Sequence, residues 1–210
     1  MPITVLDHPL AAHYLTLLRD KSTEPAKFRT LTKKLTLLLI VEATRGLTTV
    51  PATVETPMEA YSGRKLGGGL IAVPILRAGL GMLDPLLELF PDVSVGYIGL
   101  ERDHATAVAA SYYAKLPPKI GGRTTLVLDP MLATGGSASN AIARIKEAGA
   151  GPILMLSIVA APEGVARLNE DHPDVAVFSA GLDRELNDRK YILPGLGDFG
   201  DRLYGTEPID

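Results

Sequence analysis

The sequence predicts an α/β protein whose mainly parallel sheet is flanked by helices, with extra helices and a β-arm in its first third. After Gly67, short and continuously apolar segments alternate with amphipathic segments of helical period, which is typical of parallel strands covered on both faces. Before Gly67, a helical pattern gives way to a segment rich in Thr, Val and Pro. With 210 residues, 46% of them hydrophobic, we expect one domain with a sizeable core.

The first third of the chain predicts two helices followed by the arm. The helices are expected in "AAHYLTLLRD" and in "EPAKFRTLTKKLTLLLIVEATRGL", where Gly46 offers a stop. Apolar side chains recur at helical spacing in the second, at Phe28, Leu31, Leu35, Leu38 and Leu39. The segment from Thr48 to Tyr61 alternates Thr and Val but is broken by prolines, which predicts an exposed hairpin or arm.

The remainder predicts strands and helices in alternation. In order, the strand segments are "LIAVPIL", "VSVGYIGL", "TTLVLD", "ILMLSIVAA" and "VAVFSA", and the helix segments are "GLGMLDPLLELF", "SASNAIARIKEAG" and "PEGVARLNED". The middle helix is expected to end at Gly149, since glycine commonly follows the last helical turn. The stretch 101–122 has no strong core pattern, and we interpret it as a mobile loop or hairpin.

Composition and charge exclude several classes of protein. A formal net charge of −3 argues against nucleic-acid binding by bulk electrostatics. The absence of cysteine excludes disulfides and thiolate chemistry and favours a cytoplasmic location, and the four scattered histidines predict no metal site. No secretory leader is visible, and the apolar run from Leu35 is interrupted by Glu42 and too short to span a bilayer, so no membrane association is expected.

One turn carries the strongest functional signal. In "LVLDPMLATGGS", residues 126–137, Asp129 ends an apolar strand, at the edge of a parallel sheet where ligands bind. Gly135 and Gly136 then allow close backbone approach at the start of a helix, where N–H groups and the helix dipole attract anions. Thr134 and Ser137 add hydroxyl donors. The turn therefore predicts a phosphate cradle with an acid at its entrance.

A simpler interpretation of the same letters is an ordinary strand-to-helix turn, with glycine for geometry and serine as the helix N-cap. Two other kinds of phosphate loop are excluded, since neither "GxxxxGK[ST]" nor "GxGxxG" follows the strand.

The segment "DPMLATGGS" resembles the phosphoribosyl diphosphate (PRPP) binding motif of the type I phosphoribosyltransferases. Many members have two adjacent acids before the loop, whereas here Leu128 precedes a single Asp129, which is similar to the uracil phosphoribosyltransferase branch. "VPILRAGLGM" at 73–82 and "YILPGLGDFGDRLYGT" at 191–206 resemble the same branch. The resemblance covers nearly the whole chain.

This resemblance implies the type I phosphoribosyltransferase fold and the conversion of uracil and PRPP into UMP and diphosphate, a pyrimidine-salvage reaction. It implies one domain over 1–210, with the N-terminal helices and arm in 1–66, the core in 67–180 and a uracil-binding C-terminal segment in 181–210. Mg²⁺ is expected to be bound mainly through the diphosphate of PRPP. A homo-oligomer is also implied, with GTP as a possible effector.

The resemblance also implies the site residues. Arg77 and Asp198 are the expected catalytic residues; Arg77 and Arg102, each following a strand, would face the diphosphate. Asp198 would orient or accept the proton on nitrogen 1 of uracil, or contact the PRPP side. The PRPP-binding residues are Arg77, Arg102, Asp129, Pro130, Met131, Leu132, Ala133, Thr134, Gly135, Gly136, Ser137 and Asp198. The uracil-binding residues, acting mostly through main-chain groups, are Ile192, Gly197, Asp198 and Phe199.

The chain differs from the family pattern at two places. Family members commonly have alanine where this chain has Phe199, so the phenyl ring is expected either to narrow the pocket or to point away from it. The segment 101–113 keeps Arg102, Thr106 and Tyr112 but has Glu101 before the arginine. The added negative charge is expected to affect diphosphate binding.

Two alternatives remain open. One is a regulator that keeps the fold and the PRPP cradle but has lost turnover; against it stand the net charge and the presence of Arg77, Asp129 and Asp198. The other is transfer to another base, a purine or orotate. Orotate would call for an extra cation at the base pocket, and "GLGDF" offers none.

Overall fold

The structure, a computed structural model, describes residues 3–102 and 109–206, and all of their side chains except those of 101, 102 and 109–112. The helices are α1 (Pro9–Arg19), α2 (Pro25–Ala43), α3 (Leu83–Leu89), α4 (Gly136–Glu147), α5 (Pro162–Asp171) and α6 (Phe199–Tyr204), with a 3-10 helix at Ala78–Met82. The strands are β1 (Thr4–Val5), β2 (Thr49–Glu55), β3 (Ala60–Leu66), β4 (Leu70–Leu76), β5 (Ser94–Val95), β6 (Tyr97–Arg102), β7 (Ala109–Lys115), β8 (Thr124–Leu128), β9 (Met131–Leu132), β10 (Ile153–Ala160), β11 (Ala176–Leu182), β12 (Glu185–Leu186) and β13 (Ile192–Leu193).

The main sheet confirms the predicted class. Its strands run in the order β1-β11-β10-β8-β4-β6-β7, with β5 beside β4 and β9 beside β10. All of these pairs are parallel except β6 with β7. The central strands β4, β8 and β10 are buried along nearly their whole length, which explains why their sequences are continuously apolar.

Helices cover both faces of this sheet. On one face, a core cluster joins α1, α2, α3 and α6 to the sheet, with Phe28, Leu35 and Met82 fully buried. On the other, α4 and α5 pack through a second cluster that includes Ile142 and Leu168. The layers leave the carboxyl edge of the sheet free for the turns that follow β4, β8 and β10.

Strand register brings two of those turns together. Leu128, the last residue of β8, lies between Pro74 of β4 and Leu156 of β10. Arg77 and Asp129, which follow β4 and β8, therefore lie at the same edge. The approach is close: a Cβ on Gly79 would lie 2.3 Å from the carbonyl oxygen of Leu128, so only glycine fits there.

Three predicted elements differ in detail. The strand expected over 93–100 is divided into β5 and β6. The helix expected over 79–90 is divided into the 3-10 helix Ala78–Met82 and α3, and the close approach of Gly79 to β8 accounts for the irregular start. In the stretch interpreted as a loop or hairpin, β7 pairs antiparallel with β6, so its described part is a hairpin. Residues 103–108 lie outside the described part of the chain.

The predicted arm is the hairpin β2–β3, in which Thr49 pairs with Leu66 and Glu55 with Ala60. Its side chains are mostly exposed, including Met58 at the turn, which is 91% exposed, and Tyr61. The two strands hydrogen-bond to each other in a sheet separate from the main one.

Two arginines join the N-terminal helices to the C-terminal segment. Arg19, the last residue of α1, donates to both carboxylate oxygens of Asp183, at 2.5 and 2.8 Å, and to the carbonyl oxygen of Gly195 at 2.8 Å. Arg202 of α6 is buried and donates to the carbonyl oxygens of Leu18, Asp20 and Leu196. The segment 195–202 is therefore held in place by α1.

Replacing Asp183 by Ala should lower the free energy of unfolding by about 2–3 kcal/mol, because Arg19 would keep a largely buried charge without its partner. Chemical denaturation measures this. Glu88→Ala is the control, since Glu88 pairs with Lys33 at 2.5 Å on the surface, and should cost less than about 1 kcal/mol. Equal losses for the two variants would contradict the structural role of the Arg19–Asp183 pair.

Candidate active site

A cavity of about 400 Å³ opens at the carboxyl edge of the sheet. It collects predicted residues from three distant parts of the sequence. Of the predicted site residues, those that line it are Arg77, Asp129, Met131, Ala133, Ser137, Ile192, Gly197, Asp198 and Phe199. The turn after β4, the turn after β8 and the C-terminal segment thus meet at one place.

The predicted cradle forms the start of α4. Gly135 is the N-cap residue, with a φ of 76° that favours glycine, and it has no side chain to cap the helix. The N–H of Gly136 makes a long hydrogen bond, 3.5 Å, to the Thr134 hydroxyl. Ser137 lies one residue inside the helix, so it is not the N-cap that the simpler interpretation requires. The first N–H groups of α4 and the hydroxyl of Ser137 are therefore placed to bind an anion.

The neighbours of the cradle differ between its two glycines. A Cβ on Gly135 would lie 2.8 Å from the carbonyl oxygen of Gly164 in α5. A Cβ on Gly136 would meet only flexible side chains, the Arg167 guanidinium at 3.4 Å and the Thr134 hydroxyl at 3.7 Å. Gly135 thus packs against α5, whereas Gly136 leaves open the space beside the helix N-terminus.

Arg77 lines the cavity directly after β4, and the peptide bond between Leu76 and Arg77 is cis. Its carbonyl oxygen accepts a hydrogen bond from the Tyr204 hydroxyl at 3.1 Å. Burial raises the pKa of Tyr204, so the phenol remains a donor at neutral pH. The Arg77 side chain is exposed to the cavity and available for a ligand.

The two predicted acids lie on different elements of the cavity. Asp129 is anchored through its main chain, since its N–H donates to Leu156 and its carbonyl accepts from the Ser157 hydroxyl at 2.7 Å. Asp198 is the N-cap of α6, and its Oδ1 accepts from the N–H of Asp201 at 2.9 Å. Its second carboxylate oxygen remains available to a ligand at the exposed side of the cavity.

The segment 192–199, here called the base loop, turns back closely on itself at Gly195. The bond between Leu193 and Pro194 is cis, and a Cβ on Gly195 would lie 2.1 Å from the carbonyl oxygen of Ile192. The ring of Phe199 packs edge-on against Phe28, with ring centroids 5.0 Å apart, and is 2% exposed. Of the two expectations for Phe199, the structure favours a ring that points away from the cavity.

The other predicted residues lie beside or outside the cavity. Thr134, Gly135 and Gly136 lie beside it, at the start of α4. Pro130 and Leu132 are buried, so only their main chains can reach a ligand. Arg102 ends β6, but its side chain lies outside the described part of the structure.

Two charged residues of the cavity were not predicted from the sequence. Arg189 and Lys190 line it from the turn between β12 and β13, next to Tyr191. Two adjacent basic residues just before the base loop were a signal in the sequence, but the letters alone do not show which way the turn faces.

A polar network braces the helices behind the cradle. The Ser139 hydroxyl donates to Asp171 at 2.6 Å, the His172 ring lies 2.9 Å from the Ser139 carbonyl oxygen, and Arg167 pairs with Asp171 at 3.3 Å. The Ser139 hydrogen bond lowers the pKa of Asp171, so this carboxylate is charged at neutral pH. The network fixes α4 against α5.

Among the described residues, no group of three or more His, Asp or Glu side chains could hold a metal ion. The cavity does offer the carboxylates of Asp129 and Asp198. Two separated oxygen donors fit a Mg²⁺ ion that takes its remaining ligands from a diphosphate and water. No helix in the described ranges has the length and apolar character needed to cross a membrane.

Comparison with known proteins shows the family of the chain. The family described as uracil phosphoribosyltransferase matches residues 5–206. A uracil phosphoribosyltransferase of Roseiflexus castenholzii is 52% identical over 204 residues, which cover 97% of this chain and 98% of the relative. One from Thermosipho melanesiensis is 49% identical over 208 residues, covering 99% of this chain and all of the relative.

Solved structures agree on the fold. The AQ2163 protein from Aquifex aeolicus superposes with a TM-score of 0.92 at 37% identity, over 97% of this chain and 98% of its own. A hypoxanthine-guanine phosphoribosyltransferase from Bacillus anthracis has a TM-score of 0.52 at 10% identity, over 76% of this chain and 80% of its own, and is similar in fold alone. The chain belongs to the uracil phosphoribosyltransferase family.

Proposed function

We propose that this protein transfers the phosphoribosyl group of PRPP to uracil, giving UMP and diphosphate in pyrimidine salvage. The observation that carries the proposal is the meeting of a phosphate cradle, Arg77 and the base loop in one cavity. A cradle alone would fit any phosphorylated ligand, and a base loop alone any small heterocycle. Together they fit the transfer of a phosphorylated sugar to a heterocyclic base.

The reaction displaces diphosphate from carbon 1 of the ribose while nitrogen 1 of uracil approaches from the opposite face. Its transition state resembles an oxocarbenium ion, so positioning and charge stabilisation should supply most of the rate. The start of α4, within the segment 129–137, binds the 5-phosphate of PRPP. Arg77 neutralises the leaving diphosphate, with Arg102 as a second cation. Asp129 faces a ribose hydroxyl or the developing positive charge.

Uracil is held by the base loop. Its imide edge has two acceptor oxygens around one N–H donor, which main-chain groups of Ile192, Gly197 and Phe199 can read. Asp198 orients uracil or accepts the proton from nitrogen 1. Cytosine would place an amino donor where uracil has an acceptor, which leaves an unpaired donor in the pocket and strongly disfavours it.

The remaining ligands follow from the same proposal. Mg²⁺ binds mainly through the diphosphate of PRPP. A homo-oligomer is proposed because the hairpin β2–β3 exposes apolar side chains such as Met58 and Tyr61. GTP as an effector and a cytoplasmic location remain proposals that rest on the family resemblance and, for the location, on the absence of cysteine.

The regulator and the other-base alternatives predict different products. Orotate is the alternative base to test first, because Arg189 and Lys190 line the same cavity as the base loop, whereas "GLGDF" itself contains no cation. Purified protein with PRPP and Mg²⁺ should convert uracil into UMP and diphosphate, and should leave cytosine, orotate and hypoxanthine unchanged. Product from orotate would revise the substrate, and PRPP binding without product from any base would favour the regulator.

A further inference from the structure

The predicted 5-phosphate cradle lacks a cation of its own. Within the segment 129–137 the only charged residue is Asp129, which is negative. A phosphate dianion held there would meet N–H groups and hydroxyls but no compensating positive charge. Charge-assisted contacts are stronger than neutral ones, so a cation from another element would add much to affinity.

The cation that reaches the cradle glycines is partly engaged by an acid outside the cradle. Arg167 reaches Gly136, but its Nε lies 3.3 Å from Asp171, whose carboxylate is further held by Ser139. By contrast, Arg189 and Lys190 line the cavity, and neither forms an ion pair with any side chain that the structure describes. Two uncompensated positive charges thus face the same space as Ser137.

The backbone of Lys190 is a second, independent observation. Its φ is 65°, and among the described residues it is the only one other than glycine with a positive φ. A side chain in this conformation is costly relative to glycine, and such conformations cluster at functional sites. Glycine would adopt this backbone more easily than lysine, so the position of the Lys190 side chain at the cavity comes with a backbone cost.

The turn that carries these residues is rigid. The N–H of Lys190 donates to the Asn187 carbonyl oxygen at 2.8 Å, and the N–H of Asn187 donates to the Tyr191 carbonyl oxygen at 2.9 Å. The Asn187 side chain also accepts from the N–H groups of Arg189 and Tyr191. The two cations are therefore presented from a fixed backbone.

The hairpin β12–β13 and the cradle both contact the start of α5. The N–H of Leu186, in β12, donates to Glu163 at the start of α5, at 2.9 Å. The next residue, Gly164, is the one that Gly135 packs against. The β12–β13 hairpin and the start of α4 are therefore joined through adjacent residues at the start of α5.

We propose that Arg189 and Lys190 bind the 5-phosphate group shared by PRPP and UMP. This inference rests on the proposed function. The diphosphate group of PRPP is bound by Arg77, on the turn after β4.

The test is equilibrium binding of PRPP, UMP, uridine and inorganic diphosphate to the full chain. Lys190→Gly and Arg189→Gln should each weaken PRPP and UMP about tenfold and leave uridine and diphosphate unchanged. Lys190→Gly should at the same time raise the melting temperature by about 2 °C, because glycine removes the backbone cost at this position. Weaker ligand binding in a more stable protein cannot come from partial unfolding.

Arg184→Gln is the matched control, since Arg184 lies at the base of the same hairpin and pairs with the exposed Glu185. It should change none of the four affinities. Unchanged affinity of Lys190→Gly and Arg189→Gln for both PRPP and UMP would overturn the inference, as would a loss confined to PRPP and diphosphate. Wild-type conversion of uracil to UMP is scored separately. If the wild type converts uracil to UMP and the two variants bind PRPP and UMP normally, this inference alone is refuted. If the wild type does not convert uracil but Lys190→Gly weakens UMP binding, the inference is still supported.

Discussion

Replacing Asp198 by Asn should lower kcat for UMP formation by about 100-fold or more, the range typical of a lost acid–base group. The expected change in the dissociation constant of PRPP is below about threefold, or roughly 0.7 kcal/mol. Asparagine caps helices as well as aspartate does, so the hydrogen bond to the N–H of Asp201 and the start of α6 are preserved. The substitution thus removes the charge and the proton acceptor but not the local fold. Steady-state kinetics with calorimetric PRPP titration measures both quantities.

Asp201→Asn is the control for this variant. Asp201 lies in the first turn of the same helix, where its carboxylate accepts from the Thr206 hydroxyl at 2.6 Å, and it does not line the cavity. Its turnover should stay within about twofold of the wild type, as expected for a surface substitution. Near-normal turnover of Asp198→Asn would remove Asp198 from the chemistry.

Replacing Gly136 by Val should weaken PRPP binding about 100-fold or more, since the side chain would occupy the space beside the first N–H groups of α4. The fold should survive, because the nearest atoms to a Cβ at this position are the ends of the Arg167 and Thr134 side chains, at 3.4 and 3.7 Å. Gly135 is a poorer target. A side chain there meets the backbone of Gly164 at 2.8 Å, so lost binding would be confused with lost stability.

Gly46→Val provides the comparison for this second variant. Gly46 follows α2, and a Cβ there would have no neighbour within 4 Å. Calorimetry should show wild-type PRPP affinity for Gly46→Val and no measurable binding for Gly136→Val, with similar melting temperatures. Unchanged PRPP affinity of Gly136→Val would refute the assignment of the cradle.

Local patterns in the sequence were enough for the parts of the fold that depend on near neighbours. The strands β4, β8 and β10 are apolar throughout because both of their faces are buried. The end of α4 was visible in Gly149, whose φ is 82°. Gly135 of the cradle was visible for the same reason, since its φ is 76° and such a turn favours glycine.

Features that depend on distant contacts were not visible. The irregular start of the helix after β4 follows from the contact of Gly79 with Leu128. The direction of the Phe199 ring follows from Phe28. Arg189 and Lys190 reach the cavity because of how the β12–β13 hairpin packs on α5. In each case the local sequence is compatible with several conformations, and tertiary packing selects one of them.

The arginine contacts between α1 and the base loop have a consequence for the order in which the site is assembled during synthesis. The hydrogen bond from Arg202 to Leu18 joins residues 184 positions apart, and that from Arg19 to Gly195 spans 176. A ribosome synthesises the cradle and α4 well before it synthesises the segment 195–202, which makes these hydrogen bonds with α1. A nascent chain could therefore fold a phosphate site while α1 still lacks its partner, and the base pocket would form last.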